Sequence, residues 1–358
     1  MRTIRVGSHT LVATEVWGSY WFVAAERQRI YHQRLHGVRG PWTDDSVLSA
    51  HRFTNAYRAA DRVSQDLIRM QYAGPQDPDD VFLRTVLFRF FNKPETWALL
   101  DQAVGTVSTA TFSIDVLDRT LEGAMLRGER VYSPAYIIPP PPFGARRKHV
   151  NHLRLIEHMM ATGAVDAIRN ADSLESVYQI LLSYPSMGPF LAFQLTIDLN
   201  YSSLIDFDEN EFVVAGPGAR SGLAKCFVDT DGLSSADVIR WAADNQQDEF
   251  SRYGLDFQDL FGRPLALIDC QNLFCETDKY ARVAHPGAAG VGTRTRIKQK
   301  YVAGRDVPVP FFPPKWGINE SVRRDVAPTE KCATWNDADN TGSSTRESAL
   351  SVLRPVAC

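Results

Sequence analysis

Tyr184-Pro185-Ser186-Met187-Gly188-Pro189-Phe190-Leu191-Ala192, followed by the acidic run Asp206-Phe207-Asp208-Glu209-Asn210-Glu211, is the stretch that decides the fold of this 358-residue chain. Ser173 precedes it with a hydroxyl able to accept from an unpaired N–H in the first turn of a helix over 174–183. Val177, Tyr178, Ile180, Leu181 and Leu182 give that helix an apolar face. Pro185 stops it, because proline has no N–H and clashes with the preceding turn. Gly188 supplies backbone freedom for a reversal, and Pro189 suits the first position of the next helix. The segment reads as helix, hairpin, helix, with N–H groups at the second helix start placed to take a phosphate. An ordinary helix turn is the competing reading.

Taken residue by residue, the hairpin resembles that of the helix-hairpin-helix DNA glycosylases. Their pattern is Pro-Gly-hydrophobic-Gly with an alanine four residues after the last glycine. Pro185, Met187, Gly188 and Ala192 match it, and Ser186 stands where the first glycine would be. Bifunctional members carry a lysine nucleophile two residues past the last glycine; Phe190 occupies that place, which excludes Schiff-base chemistry there. Their catalytic aspartate falls twenty residues past the glycine, at Asp208.

A closer resemblance lies within that superfamily. Residues 51–64 (His-Arg-Phe-Thr-Asn-Ala-Tyr-Arg-Ala-Ala-Asp-Arg-Val-Ser), residues 87–97, the hairpin with its acidic run, and residues 272–280 (Asn-Leu-Phe-Cys-Glu-Thr-Asp-Lys-Tyr) are together similar to one family. It is the α-glutamyl/putrescinyl thymine pyrophosphorylase family, also named for the helical domain attached to some 5-hydroxymethyl-deoxyuridine DNA kinases. Four ordered blocks are specific as a set, although each alone is weak.

That resemblance implies an all-α, helix-hairpin-helix DNA glycosylase-like, two-lobed helical body. It implies hypermodification of thymine in DNA: an amine or amino acid replaces the phosphate or pyrophosphate of an activated 5-hydroxymethyluracil. DNA is then the partner and a small amine or amino acid the co-substrate, with a separate 5-hydroxymethyluracil DNA kinase and a thymine dioxygenase acting alongside. Two other readings stay open. One is a monofunctional base-excision glycosylase using Asp208 to stabilise an oxocarbenium ion; the other is a non-catalytic DNA-binding module.

Composition is compatible with this and not diagnostic. Hydrophobic content of 44% and charged content of 23% are ordinary globular values. The net charge of −3 means that any nucleic-acid site is a local patch. Two runs qualify: Arg146-Arg147-Lys148 with His149, His152 and Arg154, and Arg294, Arg296, Lys298 and Lys300. For each, a solvated basic surface is the alternative. The five cysteines show no Cys-x-x-Cys spacing, and their odd number suits a reducing compartment. No signal-peptide core or membrane span is read, so a soluble intracellular protein is expected, nuclear in a eukaryote.

Several constellations carry candidate chemistry. Asp206, Asp208, Glu209 and Glu211 crowd four carboxylates into six positions, which suits acid–base work or a divalent cation. Asp208 and Glu211 are read as catalytic, Glu209 as supporting, and Asp206 with Asp208 as metal ligands; the sequence fixes no cofactor, and Mg²⁺ suits a pyrophosphate leaving group. An exposed acidic loop capping the next helix is the alternative. The loop Gly216-Pro217-Gly218-Ala219-Arg220-Ser221-Gly222-Leu223-Ala224-Lys225 offers Arg220 and Lys225 to an anion, yet it is no Walker A motif. A plain turn starting a helix explains it equally. Lys279 is read as catalytic, paired with Glu276 one turn away, or else as a surface ion pair. Asn55 and Arg58 are phosphate-binding candidates with Asp61 orienting the guanidinium; a helix cap and a buried Arg–Asp pair are the alternative. Gly188 joins them through the hairpin. Cys275 reads as core and Trp97 as packing.

Hydrophobic periodicity predicts helices over 15–35, 59–71, 78–91, 114–126, 149–162, 219–227, 235–253 and 264–283, with a short extended segment over 131–138. Residues 1–14 are read as an N-terminal extension, 15–285 as the helical glycosylase-like domain with the hairpin near 173–200, and 286–358 as a tail. Within the tail, 308–316 is expected to strap onto the body, and the polar composition of 336–347 predicts disorder.

Overall fold

The computed structural model describes residues 2–135, 138–292, 294–302 and 307–326. The chain begins in an antiparallel hairpin of β1 (Arg2–Val6) and β2 (His9–Ala13), paired from Arg2↔Ala13 to Val6↔His9. Alternation buries Ile4, Leu11 and Ala13. Gly7, at φ +60°, makes the two-residue turn, where a positive φ matches the strand twist. β3 (Phe227–Asp229) joins the other edge of β2, giving the order β1-β2-β3. The body is mostly helical, as expected, and this small sheet builds residues 2–13 into it.

The helices are α1 (Val16–Leu35), α2 (Ser46–Ala50), α3 (Arg62–Ala73), α4 (Pro78–Phe91), α5 (Pro94–Val104), α6 (Ile114–Leu126), α7 (Lys148–Ala161), α8 (Ala164–Arg169), α9 (Leu174–Leu182), α10 (Pro189–Tyr201), α11 (Pro217–Cys226), α12 (Ser235–Asp244), α13 (Gln246–Arg252), α14 (Leu267–Ala284) and α15 (Asn319–Asp325). α4 shows why its bounds were legible. Asp77 caps it by accepting from Asp79 N–H at 3.1 Å, Pro78 opens it, and Asn92 closes it in the left-handed region at φ +50°. The helix predicted over 235–253 is instead two, because Asn245 ends α12 and α13 begins one residue later.

The hairpin is present. Ser173 Oγ accepts from Ser176 N–H at 3.1 Å and caps α9, while Pro189 starts α10. Its left-handed residue is Ser186, at φ +64°, and Gly188 has an ordinary φ of −72°. The reversal thus uses the place where the glycosylase pattern carries its first glycine.

The main core cluster runs from Ile4 to Val322, and the described residues up to Val326 form one compact unit where two lobes were expected. Its centre is α1 against α14 and α11. Trp17 stacks on Tyr20 at 5.0 Å, and Tyr20 packs on Phe274 at 4.4 Å. α11 lies almost in backbone contact with α14: a Cβ on Gly222 would sit 1.9 Å from Phe274 O, and one on Gly218 2.3 Å from Cys275 Sγ. The strap expected over 308–316 docks, with Phe312 fully buried and Phe311 N–H donating to Gln65 Oε1 at 2.8 Å, and it extends over 307–326 through α15, where Val322 is fully buried. Among the described residues of 131–138 no strand forms; residues 136 and 137, like the 336–347 segment, lie outside the described residues.

Candidate functional site

α1, the segment before α3, and α14 bring together Arg27, Asn55, Asp61, Glu276 and Lys279. Arg27 donates from Nε to Thr54 O at 2.9 Å and from Nη2 to Asn55 Oδ1 at 3.0 Å. Glu276 Oε2 accepts from Thr54 N–H at 3.0 Å and from Lys279 Nζ at 3.2 Å. Lys279 also donates to Arg52 O and lies over the Phe53 ring at 4.4 Å. Asn55 is fixed at both ends, its N–H on Asp61 Oδ1 at 2.8 Å and its Nδ2 on Ala60 O at 2.8 Å.

Asp61 is the distinctive member. It sits at the N-cap position of α3 and makes no side-chain cap bond to that helix. Burial pushes its carboxyl up to about 7, with Glu276 adding in the same direction and Arg27 opposing. A half-buried carboxyl titrating near neutrality, held by one oxygen, has the properties of a general base. Arg27 was missed from the sequence because it is one of several basic residues on a long helix.

Behind this cluster lies a fully buried ionic network. Arg58 Nη2 and Arg89 Nη2 each donate to Asp198 Oδ1 at 2.7 Å, and Arg58 Nε reaches Gln194 Oε1 at 3.1 Å. The Arg58 guanidinium also stands over the Tyr201 ring at 5.4 Å, and its backbone N–H donates to Asp269 Oδ1 at 2.7 Å. Arg58 is therefore a core residue paired with Asp198 and not with Asp61, which corrects its reading as a phosphate ligand. Asp198 was legible as the one acid of α10, set between Ile197 and Leu199, a pattern that demands a partner. Burial, with the Glu209 charge second, pushes Asp269 up to about 7. Burial raises Glu209 as well; its Oε2 accepts from Arg263 at 3.0 Å, while Oε1 is buried without a partner.

The acidic run is dispersed. Asp206 pairs with Lys315 at 3.4 Å, and Asp208 is exposed, its Oδ1 accepting from Asn210 N–H at 2.9 Å within the turn. Glu211 is exposed, with its carbonyl on Arg240 Nη2 at 2.9 Å. Among the described residues, no hydrogen bond or ion pair joins Lys279 to Asp208, and the run forms no group of three potential metal ligands. Gly188 is exposed with open space where a Cβ would lie. The glycine loop serves packing: Lys225 is buried at 3.0 Å from Asp278 Oδ1, and Arg220 Nε donates to Ala215 O at 3.0 Å. An anion cradle is not what those glycines make. Cys275 lies against Gly218, and burial pushes its thiol up to about 12, as a core cysteine requires.

The two basic runs separate sharply. In the first, Arg147 pairs with Asp118 at 2.7 Å and with Glu122, His149 binds Asp118 at 2.7 Å, and His152 is buried on Tyr132. That run ties α6 to α7. In the second, Arg294, Arg296, Lys298 and Lys300 are all exposed, and among the described residues their side chains have no ion pair. Ile297, between them, packs into the small core of Val23, Val47, Leu48, Phe53 and Tyr280. The run is anchored by Arg52 N–H on Gln299 O and Tyr301 N–H on Ala50 O, both at 3.0 Å. It therefore lies along residues 50–52, immediately before Thr54 and Asn55.

Comparison with known proteins places this geometry in context. The family described as the 5-hmdU DNA kinase, helical domain, matches residues 14–290. A 5-hmdU DNA kinase of Bacillus phage SP10 is 27% identical over 288 residues, which is 74% of this chain and 45% of the phage protein. The chain thus spans less than half the length of that relative. No solved structure matches. No helix among the described residues is long and apolar enough to cross a membrane.

Proposed function

The chain belongs to the family of the 5-hmdU DNA kinase helical domain, and from that premise we propose that it modifies DNA at 5-hydroxymethyluracil. The reaction class is substitution at the 5-methylene carbon of a base already activated as a phosphate or pyrophosphate ester. An amine nitrogen forms the C–N bond, the C–O bond to the leaving group breaks, and the amine proton passes to Asp61. Arg27, Lys279 and Arg52 offer positive charge where the departing phosphate carries negative charge. Asn55 orients Asp61 through its N–H.

The observation that carries this reading is that the exposed run Arg294–Arg296–Lys298–Lys300 ends in backbone pairing with residues 50–52, immediately before Thr54 and Asn55 of the Asp61 cluster. A phosphate-neutralising edge next to a half-buried acid–base group is what an enzyme needs to hold DNA while it works on one base. The glycosylase-like character of the hairpin belongs to the same proposal, with Gly188 and the α10 N-terminus as a second phosphate contact. Asp208 is not the base in this reading, because its carboxylate closes its own turn.

The test is mass spectrometry of nucleosides from DNA carrying phosphorylated or pyrophosphorylated 5-hydroxymethyluracil, after incubation with the protein, Mg²⁺ and a pool of amines and amino acids. A new thymidine adduct is expected. Release of free base would replace the proposal with glycosylase chemistry, and unaltered DNA that is still bound would replace it with a binding module.

A further inference from the structure

The C-terminal end of α1, five residues beyond Arg27, meets α15. His32 and His36 are one turn apart on α1, and one ring nitrogen of each lies with an Asp325 carboxylate oxygen in a group whose atoms are all within 4.8 Å of one another. Two histidines at i and i+4 on one helix face, completed by an acid from elsewhere, are a donor set for a borderline divalent ion. Asp325 lies outside the residues matched by the family, 14–290.

The hydrogen bonds behind the rings are those that prepare imidazoles for a metal. His36 Nδ1 bonds His32 O at 2.8 Å, which assigns its proton to Nδ1 and leaves the Nε2 lone pair facing Asp325 Oδ2 at 3.1 Å. Two lone pairs face each other at that contact unless a cation lies between them or the ring is protonated. That separation is close to the edge of about 3.3 Å expected between ligands in a tetrahedral zinc site. His32 is only 5% exposed. Its Nε2 faces the Gln28 amide at 3.1 Å, while His32 Nδ1 and Gln28 Oε1 are both buried without partners. If the Gln28 amide turns so that Oε1 accepts from Nε2–H, Oε1 gains its partner and the Nδ1 lone pair is left for an ion. Such second partners fix tautomer and ring orientation at metal sites.

Access is open. A concavity of about 370 Å³ lined by His32, His36, Asp256 and Gln258 adjoins another of about 390 Å³ lined by Gln258, Asp259, Arg324 and Asp325.

We propose that His32, His36 and Asp325 form a binding site for a divalent transition ion of the Zn²⁺ class, with the fourth position open to water. Mg²⁺ is disfavoured by the two imidazoles. The ion would clip the strap at 307–326 to the end of α1, closing a loop of almost the entire chain.

The test uses the full chain, stripped with chelator and titrated with Zn²⁺ alone, with Co²⁺ as a spectroscopic probe. One equivalent is expected to bind, and Co²⁺ to give the visible absorption of a tetrahedral N/O site. His36→Ala and Asp325→Asn, both at exposed positions, are each expected to weaken binding at least tenfold; Gln28→Ala is expected to weaken it about 10- to 100-fold without removing a ligand. Zn²⁺ is expected to raise the Tm of the wild type and leave that of Asp325→Asn unchanged. Binding below one equivalent would overturn the proposal and leave an imidazolium–carboxylate pair. So would affinity that survives both ligand variants, or that disappears on alkylation of the cysteines.

Discussion

Asp61 Oδ1 accepts the backbone N–H of Asn55 at 2.8 Å, although Asp61 stands at the N-cap position of α3. A carboxylate in that position ordinarily accepts from its own helix. Here it is turned back six residues and held at the edge of the cluster formed with Arg27, Glu276 and Lys279. The side-chain cap that α3 would have from this position is absent.

Asp61→Asn retains the shape and the bond to Asn55 N–H but cannot accept a proton. Base modification is expected to fall about 10²- to 10⁴-fold, with DNA affinity unchanged in a gel-shift titration. Equal loss of both would assign Asp61 to binding.

The pH dependence of stability has a definite sign. Asp61 and Asp269 are each raised from 3.8 to about 7 in the folded state, chiefly by burial. Between those values the unfolded chain has released protons that the folded chain retains, so both contributions to stability are present at low pH and decline as pH rises from about 4 to 7. Thermal melts across that window are expected to show a smaller decline for Asp61→Asn than for the wild type. Parallel curves would show that Asp61 is not perturbed.

Asp198 has two arginine partners and no exposure. Asp198→Ala strands both guanidinium groups in the core, and unfolding by denaturant is expected to register a loss of about 3–5 kcal/mol. A loss below about 1 kcal/mol would mean that water reaches the network.

Charge reversal of the exposed edge separates DNA binding from folding. Arg296→Glu with Lys298→Glu is expected to weaken DNA binding and to flatten the plot of log affinity against log salt by about 0.9 per lost phosphate contact on a duplex. The melting temperature is expected to stay the same, since neither side chain has an ion pair among the described residues. The matching reversal of Arg147 is expected to act on stability instead, through Asp118 and Glu122.

Gly222→Ala places a methyl carbon where Phe274 O already stands. α11 must then move off α14, at a cost of about 1–3 kcal/mol or more. A neutral result in thermal unfolding would mean that the helices separate freely.

Much of the helical layout was readable because its causes are local. Pro78, Asp77 and Asn92 bound α4, and Ser173, Pro185 and Pro189 bound the hairpin, each through a bond or clash within a few residues. The N-terminal hairpin had a local cue too, the alternation on either side of Gly7-Ser8, and was passed over as an extension. The glycines at 216, 218 and 222 misled in the other direction. Their spacing suits a phosphate loop, but their reason is the nearness of Phe190, Cys275 and Phe274, which are 26 to 57 residues away in the chain.

By itself the sequence determined a mostly helical body, its hairpin, its family resemblance and a set of candidate residues, because helix periods, caps and turns are properties of short segments. Only the tertiary structure decided which partners each candidate meets. Arg58 meets Asp198 across 140 positions and Thr54 meets Glu276 across 222. Whether a charge ends paired in the core, as Arg58 and Lys225 do, or half-buried on a backbone N–H, as Asp61 does, depends on desolvation and on the partners that packing supplies. Those are set by packing, and no local pattern encodes them.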